Sequence, residues 1–159
     1  MFLRTEIASE KKLLGKRVSM SFVNNKTFLL WNSFMPRLKE IQNKKGGELF
    51  SLEVYESFSA TDFNPEKEFD KWACVEVTNY DVVPAEMETL TVPQGLYAVF
   101  LHKGPASEGE KTYRYIFQTW LPESEFIVDS RPHFAVMGEK YKNNSTDNEE
   151  EIWIPVKAK

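Results

Sequence analysis

The stretch EEEIWIPV (residues 149–156) runs three carboxylates into an apolar segment that carries a tryptophan. A carboxylate beside an aromatic ring attracts a cation twice, through its charge and through the ring quadrupole. KWACVEV (71–77) repeats the association, with Trp72 and Glu76 at the same strand parity. Were the two segments neighbouring strands, Glu76 and Glu151 would form a pair of acids in an apolar cleft. Carboxyl pKa values separate in such a pair, and acid–base chemistry becomes accessible. The plainer alternatives stay open: acids at strand ends are solvated, and aromatics on a sheet cover it or bury a contact with another protein. Other chemistry is absent from the pattern. His102 and His133 belong to no cluster at metal-ligand spacing and read as ordinary strand residues. The single cysteine, Cys74, reads as a small buried hydrophobe and excludes an intrachain disulfide. GPASEGEKT (104–112) lies where a phosphate loop would lie, but Glu110 intrudes between Gly109 and Lys111. It reads instead as a turn feeding a helix, with Glu108 and Glu110 complementing the dipole. The sequence assigns no catalytic residue, metal or cofactor.

Composition narrows the classes further. The 159 residues fit one domain over 1–159, and 42% hydrophobic with 14% aromatic residues suffices for a packed core. The net charge of -4, with lysine pairs at 11–12 and 44–45 too short to form a patch, argues against direct nucleic-acid binding. No run long and apolar enough to span a membrane occurs, and MFLRTEIASEKK lacks the apolar core of a leader, so a cytoplasmic protein is expected. NNSTDN (143–148), with its sequons at Asn143 and Asn144, reads as a polar turn.

The elements that must position these residues follow from periodicity. KRVSMSF (16–22), ELFSLEVYESF (48–58) and KWACVEV alternate as strands. Between the first two, Leu30, Phe34, Leu38 and Ile41 recur at helical spacing, interrupted by Pro36, where a kink or irregular turn is expected. METLTVP (87–93) reads as a strand or extended arm, LYAVFLHKG (96–104), PHFAVMGEKY (132–141) and EIWIPV (151–156) as strands, and TYRYIFQTWLPES as a helix ending at Pro122. Each half therefore runs strand, helix, strand, strand, about 16–80 and about 86–157. The expected fold is α+β, with duplicated strand-helix-strand-strand units in a mostly antiparallel curved sheet and two main helices. Alternation expects Phe50, Leu52, Val54, Ala73, Val75, Ile152 and Ile154 to face the helices. The other face would hold Tyr55, Trp72, Glu76, Glu151 and Trp153, a mixture suited to an amphipathic ligand.

TLTVPQGLYAVFLHKG, TYRYIFQTWLPES, DSRPHF and EIWIPVK, in this order and preceded by NNKTFLLWNSFMPR and KWACVEV, resemble the GyrI-like domain. This is also the effector-binding domain of AraC- and MerR-type multidrug regulators. The resemblance covers the chain from about Lys16. It implies a small-molecule-binding protein whose ligands are hydrophobic, aromatic and often cationic, held in a crevice between the two units. It also implies Trp31 and Phe34 on the first helix, Tyr113 and Trp120 on the second, and Trp72, Tyr97 and Trp153 on strands as ligand-binding candidates. Many members carry a glutamate after the RPH turn; here Ala135 stands there. Glu76 and Glu151 then remain as candidate counter-charges, and a neutral aromatic ligand stays open. About fifteen residues precede the first expected strand, too few for a helix-turn-helix, so a stand-alone member without a DNA-binding domain is expected. The leading expectation is a protein that senses or sequesters a xenobiotic or metabolite. Two alternatives follow from the same resemblance: a hydrolase of reactive cyclopropane-bearing compounds using a cleft carboxylate, and a gyrase-inhibitor-like module with a protein partner.

Overall fold

The computed structural model describes residues 1–56, 64–105, 108–137 and 148–159. The end of ELFSLEVYESF past 56, the extension of PHFAVMGEKY past 137 and the polar turn at Asn143 and Asn144 lie outside these residues. Among the described residues nine strands form one antiparallel sheet: β1 (Phe2–Ala8), β2 (Lys11–Met20), β3 (Leu49–Val54), β4 (Phe69–Glu76), β5 (Glu88–Val92), β6 (Gly95–Lys103), β7 (Phe126–Val128), β8 (His133–Met137) and β9 (Glu149–Ala158). Helix α1 (Thr27–Phe34) follows β2, and α2 (Gly109–Tyr115) follows β6. Pro36 removes a backbone donor just past α1, and the chain tightens there into a 3-10 turn over Met35–Glu40. Leu30, Phe34 and Ile41 of the apolar stripe are buried all the same. Helix α2 widens into a π-helical turn over Ile116–Trp120 before a last turn at Leu121–Glu123. Among the described residues no helix is long and apolar enough to cross a membrane.

The strand order is β1-β6-β9-β8-β3-β4-β2-β5, with β7 pairing the far end of β9. This order dictates the shape. In a flat sheet β1 and β2 would lie about 29 Å apart, at 4.8 Å per strand. Yet only Ser9 and Glu10 separate them in sequence, and three residue steps span at most about 11 Å. The same holds for β5 and β6, joined by Pro93 and Gln94. The sheet must therefore curl until its two rims approach. Residues of both rims, Ala8 of β1 with Leu13 of β2 and Val92 of β5, share one core with Phe50, Leu52, Trp72, Tyr97, Val99, Phe134 and Trp153. That face is buried by the curl itself. The helices cover the outer face. Leu14, Phe34, Ala73 and Val75 pack beneath α1, and Phe100, Ile116, Phe117, Ile152 and Ile154 beneath α2.

Two corrections to the sequence reading follow. The start of the chain forms two strands that do not pair with each other: β1 was not anticipated, and β2 starts five residues earlier than expected. Six of the seven residues of β1 are exposed, so no binary pattern marks it. The faces of β3 are also reversed. Leu52 pairs with Trp72, and Phe50 with Cys74, so these apolar residues line the curled interior. Ser51 and Glu53, opposite Ala73 and Lys71, face the helices instead.

Candidate functional site

The reversed face of β3 makes the site. Between α1 and α2 the outer face of the sheet is left uncovered over a cavity of about 200 Å³. Its floor is Leu49, Ser51 and Glu53 of β3, Lys71 of β4, Ala135 and Met137 of β8, and Glu150 of β9. Its walls are Trp31 and Met35 on one side and Tyr113 on the other, with Met20 and Phe22 at the rim. Aromatic rings and flexible methionines suit flat apolar ligands of varied outline.

The charges are concentrated on the floor. Glu53 is 1% exposed. Its Oε1 accepts from the ammonium of Lys71 at 3.5 Å. The Tyr113 phenol is held well above its ordinary pKa by burial and by the charge of Glu53, to which it hydrogen-bonds. Glu150 lies within electrostatic reach of the same group. Burial pushes its carboxyl above the usual range, Lys71 and His102 pull it back, and Glu53 adds to the rise. His102, opposite Glu150 in the ladder, is fixed by Thr112 at 2.6 Å and the Pro105 carbonyl at 3.2 Å. Burial pushes His133, on β8, down to about 3, so its imidazole is neutral at ordinary pH.

The structure distributes the sequence candidates over three places. Trp31 and Tyr113 line the cavity. Phe34 is fully buried beneath α1 and meets Trp31 edge to face at 5.9 Å. Tyr55 packs against Phe69 and His133 just beyond Glu53, its phenol raised by burial and then by Glu53. Trp72, Tyr97 and Trp153 belong to the curled interior. There Tyr97 donates to the Pro132 carbonyl at 3.0 Å and carries the Arg131 guanidinium over its ring. Trp120 lies outside the cavity, stacked on Phe2 at 4.9 Å and edge-on to Phe100. Glu76 pairs with Lys45 at 3.9 Å, and Glu151 with Arg4 at 3.3 Å. These two acids are not neighbours, because β8 and β3 stand between β9 and β4. The acids that do share a site are Glu53 and Glu150, which the sequence reading passed over. The alternation of EEEIWIPV held their clue: Glu150 has the parity of Ile152 and Ile154, the face beneath the helices. Ala135 sits on the same floor, so charge missing from β8 is present on the strands either side of it.

A raised carboxyl makes the folded state bind a proton more tightly than the unfolded chain does. The stabilisation from Glu150 is therefore full below the ordinary carboxyl pKa and is lost as pH rises through its folded value. Glu150→Gln should remove that loss. We expect the variant to gain stability relative to the parent between pH 4.5 and pH 8, read from urea unfolding at both. A constant difference between the two proteins would contradict it.

Comparison with known proteins shows what the chain is similar to. The family model described as the GyrI-like small molecule binding domain matches residues 5–157. The transcriptional regulator BrlR of Pseudomonas aeruginosa is 28% identical over 128 residues, which are 80% of this chain and 45% of BrlR. EcmrR in its DNA complex superposes with a TM-score of 0.71 at 17% identity, over 98% of this chain and 57% of that one. The chain thus spans about half the length of these regulators. SAV2435 bound to tetraphenylphosphonium superposes with a TM-score of 0.66 at 19% identity, over 99% of this chain and 94% of that one. At these identities the solved structures are likenesses of fold.

Proposed function

The chain belongs to the GyrI-like family of small-molecule-binding domains, and from that premise we propose that its cavity binds an aromatic cation in order to sense or sequester it. The observation that carries this reading is the pairing of Glu53 and Glu150 on a floor walled by Trp31 and Tyr113. A unit charge 4 Å from a carboxylate gains about 4 kcal/mol at the effective dielectric of a protein site. Lys71 offsets part of the charge of the two acids, and a ligand cation would draw Glu150, whose carboxyl burial raises, back toward its ionised form. The rings add about 0.5–2 kcal/mol through their quadrupoles. The phosphonium held by SAV2435 is itself an aromatic cation, which supports the choice of class.

A set of three naphthalene ligands tests it: 1-naphthylmethylamine, its N,N,N-trimethylammonium derivative and the neutral 1-naphthalenemethanol. Calorimetric titration at pH 7.5 is expected to show both cations binding at least tenfold tighter than the alcohol. An alcohol that binds as tightly as the cations would overturn the reading. Incubation with a reactive cyclopropane-bearing aromatic compound, followed by mass spectrometry, separates a binder, which returns it unchanged, from the hydrolase alternative.

A further inference from the structure

We propose that β1 is the contact of a symmetric dimer, in which two copies of the chain pair this strand antiparallel across a two-fold axis at Thr5. β1 is an edge. β6 covers one side of it, and no strand among the described residues pairs with the other. An open edge is a template for another chain, and charges placed along it refuse most partners. The charges here refuse every register but one. In FLRTEIA, an antiparallel copy centred on Thr5 sets each Arg4 opposite the partner's Glu6. A centre at Arg4 or at Glu6 sets like charges opposite each other, and a centre between residues sets each charge opposite an uncharged side chain. Both side chains are about half-exposed, and they already meet within the chain, Nε to Oε1 at 2.8 Å. Pairing at Thr5 therefore closes a ring of four alternating charges. The other edge lacks this symmetry: β5, centred on itself, puts Glu88 opposite Val92.

The opposite face of the strand supplies a seat. Phe2, Thr5 and Ile7 pair with Phe100, Ala98 and Leu96, alternate residues of β6, so the three share the face that the helices cover. The register shift between Phe2 and Arg4 is what turns Phe2 to that side. Phe2 and Thr5 line an open groove of about 500 Å³ with Trp120 and Phe126, and no described residue of β6 lines it, so it lies over the edge strand. Ile7 is 66% exposed, an apolar side chain that its own protomer leaves uncovered. Rotation about Thr5 brings the partner's Ile7 beside Phe2, at the groove, and carries this Ile7 to the partner's groove. One isologous contact thus covers an unpaired backbone, pairs the charges of β1 and seats its most exposed apolar side chain. None of the residues lining the cavity lies on β1, so the contact does not draw on the ligand site.

Sedimentation equilibrium of the whole chain, 18.5 kDa as a protomer, is expected to show a monomer–dimer equilibrium. Two short strands make less than a standard interface, so half-dissociation should fall on the order of 10–100 μM. Glu6→Arg and Arg4→Glu each set like charges opposite and should weaken association about tenfold or more. Together, Arg4→Glu and Glu6→Arg restore the alternation and should restore the dimer. Thr5→Cys, at the axis, should cross-link to its own copy on mild oxidation. Thr89→Cys, exposed on the other edge strand, should not, and the buried Cys74 takes no part. A chain that stays monomeric at about 500 μM overturns the proposal. So does a dimer that survives both single charge reversals, a folded double variant that stays monomeric, or cross-linking through Thr89→Cys instead of Thr5→Cys. Should circular dichroism show Arg4→Glu unfolded through loss of its contact with Glu151, Glu6→Arg and the two cysteine variants decide by the same criteria.

Discussion

Glu53→Gln is expected to weaken the binding of 1-naphthylmethylammonium about 100-fold, on the order of 3 kcal/mol, and to leave 1-naphthalenemethanol unaffected. The substitution preserves shape and removes only charge. With Glu53 neutral, the ammonium of Lys71 loses its paired carboxylate and opposes a second cation, so the Coulomb attraction falls sharply. The aromatic walls and the floor methionine do not change, and they alone hold the neutral ligand. Glu151→Gln is the control. Its carboxylate lies on the opposite strand face, paired to Arg4 at a half-exposed position, and surface pairs of this kind contribute at most about 1 kcal/mol to stability. Titration of both variants with both ligands checks the claim. A cation affinity that falls in Glu151→Gln and survives in Glu53→Gln would return the site to the curled interior.

Gly15→Ala is expected to destabilise the fold by about 3 kcal/mol or more. Gly15 lies in β2 where that strand pairs with β4 on one side and β5 on the other. A Cβ there would strike the Ala73 carbonyl oxygen and come within 2.6 Å of the Cys74 Cα. Both are backbone atoms of the neighbouring strand, so no rotamer change relieves the clash. The strand would have to separate from β4 or flatten, and flattening opposes the curl that buries Trp72 and Trp153. Gly109→Ala serves as the comparison, since nothing lies within 4 Å of its Cβ and alanine favours a helix. Urea unfolding of the two variants should show opposite or strongly unequal changes; similar small changes would contradict the packing assigned to Gly15.

These two residues also mark the limit of what the pattern of side chains discloses. The elements were legible because alternation and helical spacing are local, and Leu30, Phe34 and Ile41 or Ile152 and Ile154 lie where their periods place them. The faces of β3 were not. Both sides of LFSLEV are buried, one by the closure of the sheet and one by the cavity. An apolar face was therefore no guide to the position of the helices. Closure depends on the pairing of β1 with β6 and β5 with β2, which no local window contains. Glu150 was hidden differently, inside a run of three acids that looks like a solvated strand end. Trp31 and Tyr113 were found because a helix shows its flank in its spacing. Lys71 and Glu53 were missed because each lies in a strand whose neighbours set its partner.

The strand order reads alike from either end. β1 leaves the first half to pair with β6, and β5 leaves the second to pair with β2. This exchange has a consequence for synthesis. β1 is synthesised long before its partner, with Phe2, Leu3 and Ile7 on its surface, since β6 begins only at Gly95. At about 5–20 residues per second the first strand waits roughly 5–20 s for its partner. Until then its edge and its apolar side chains are open to any other chain with a free strand, so the protein has its greatest exposure to aggregation before its second half exists.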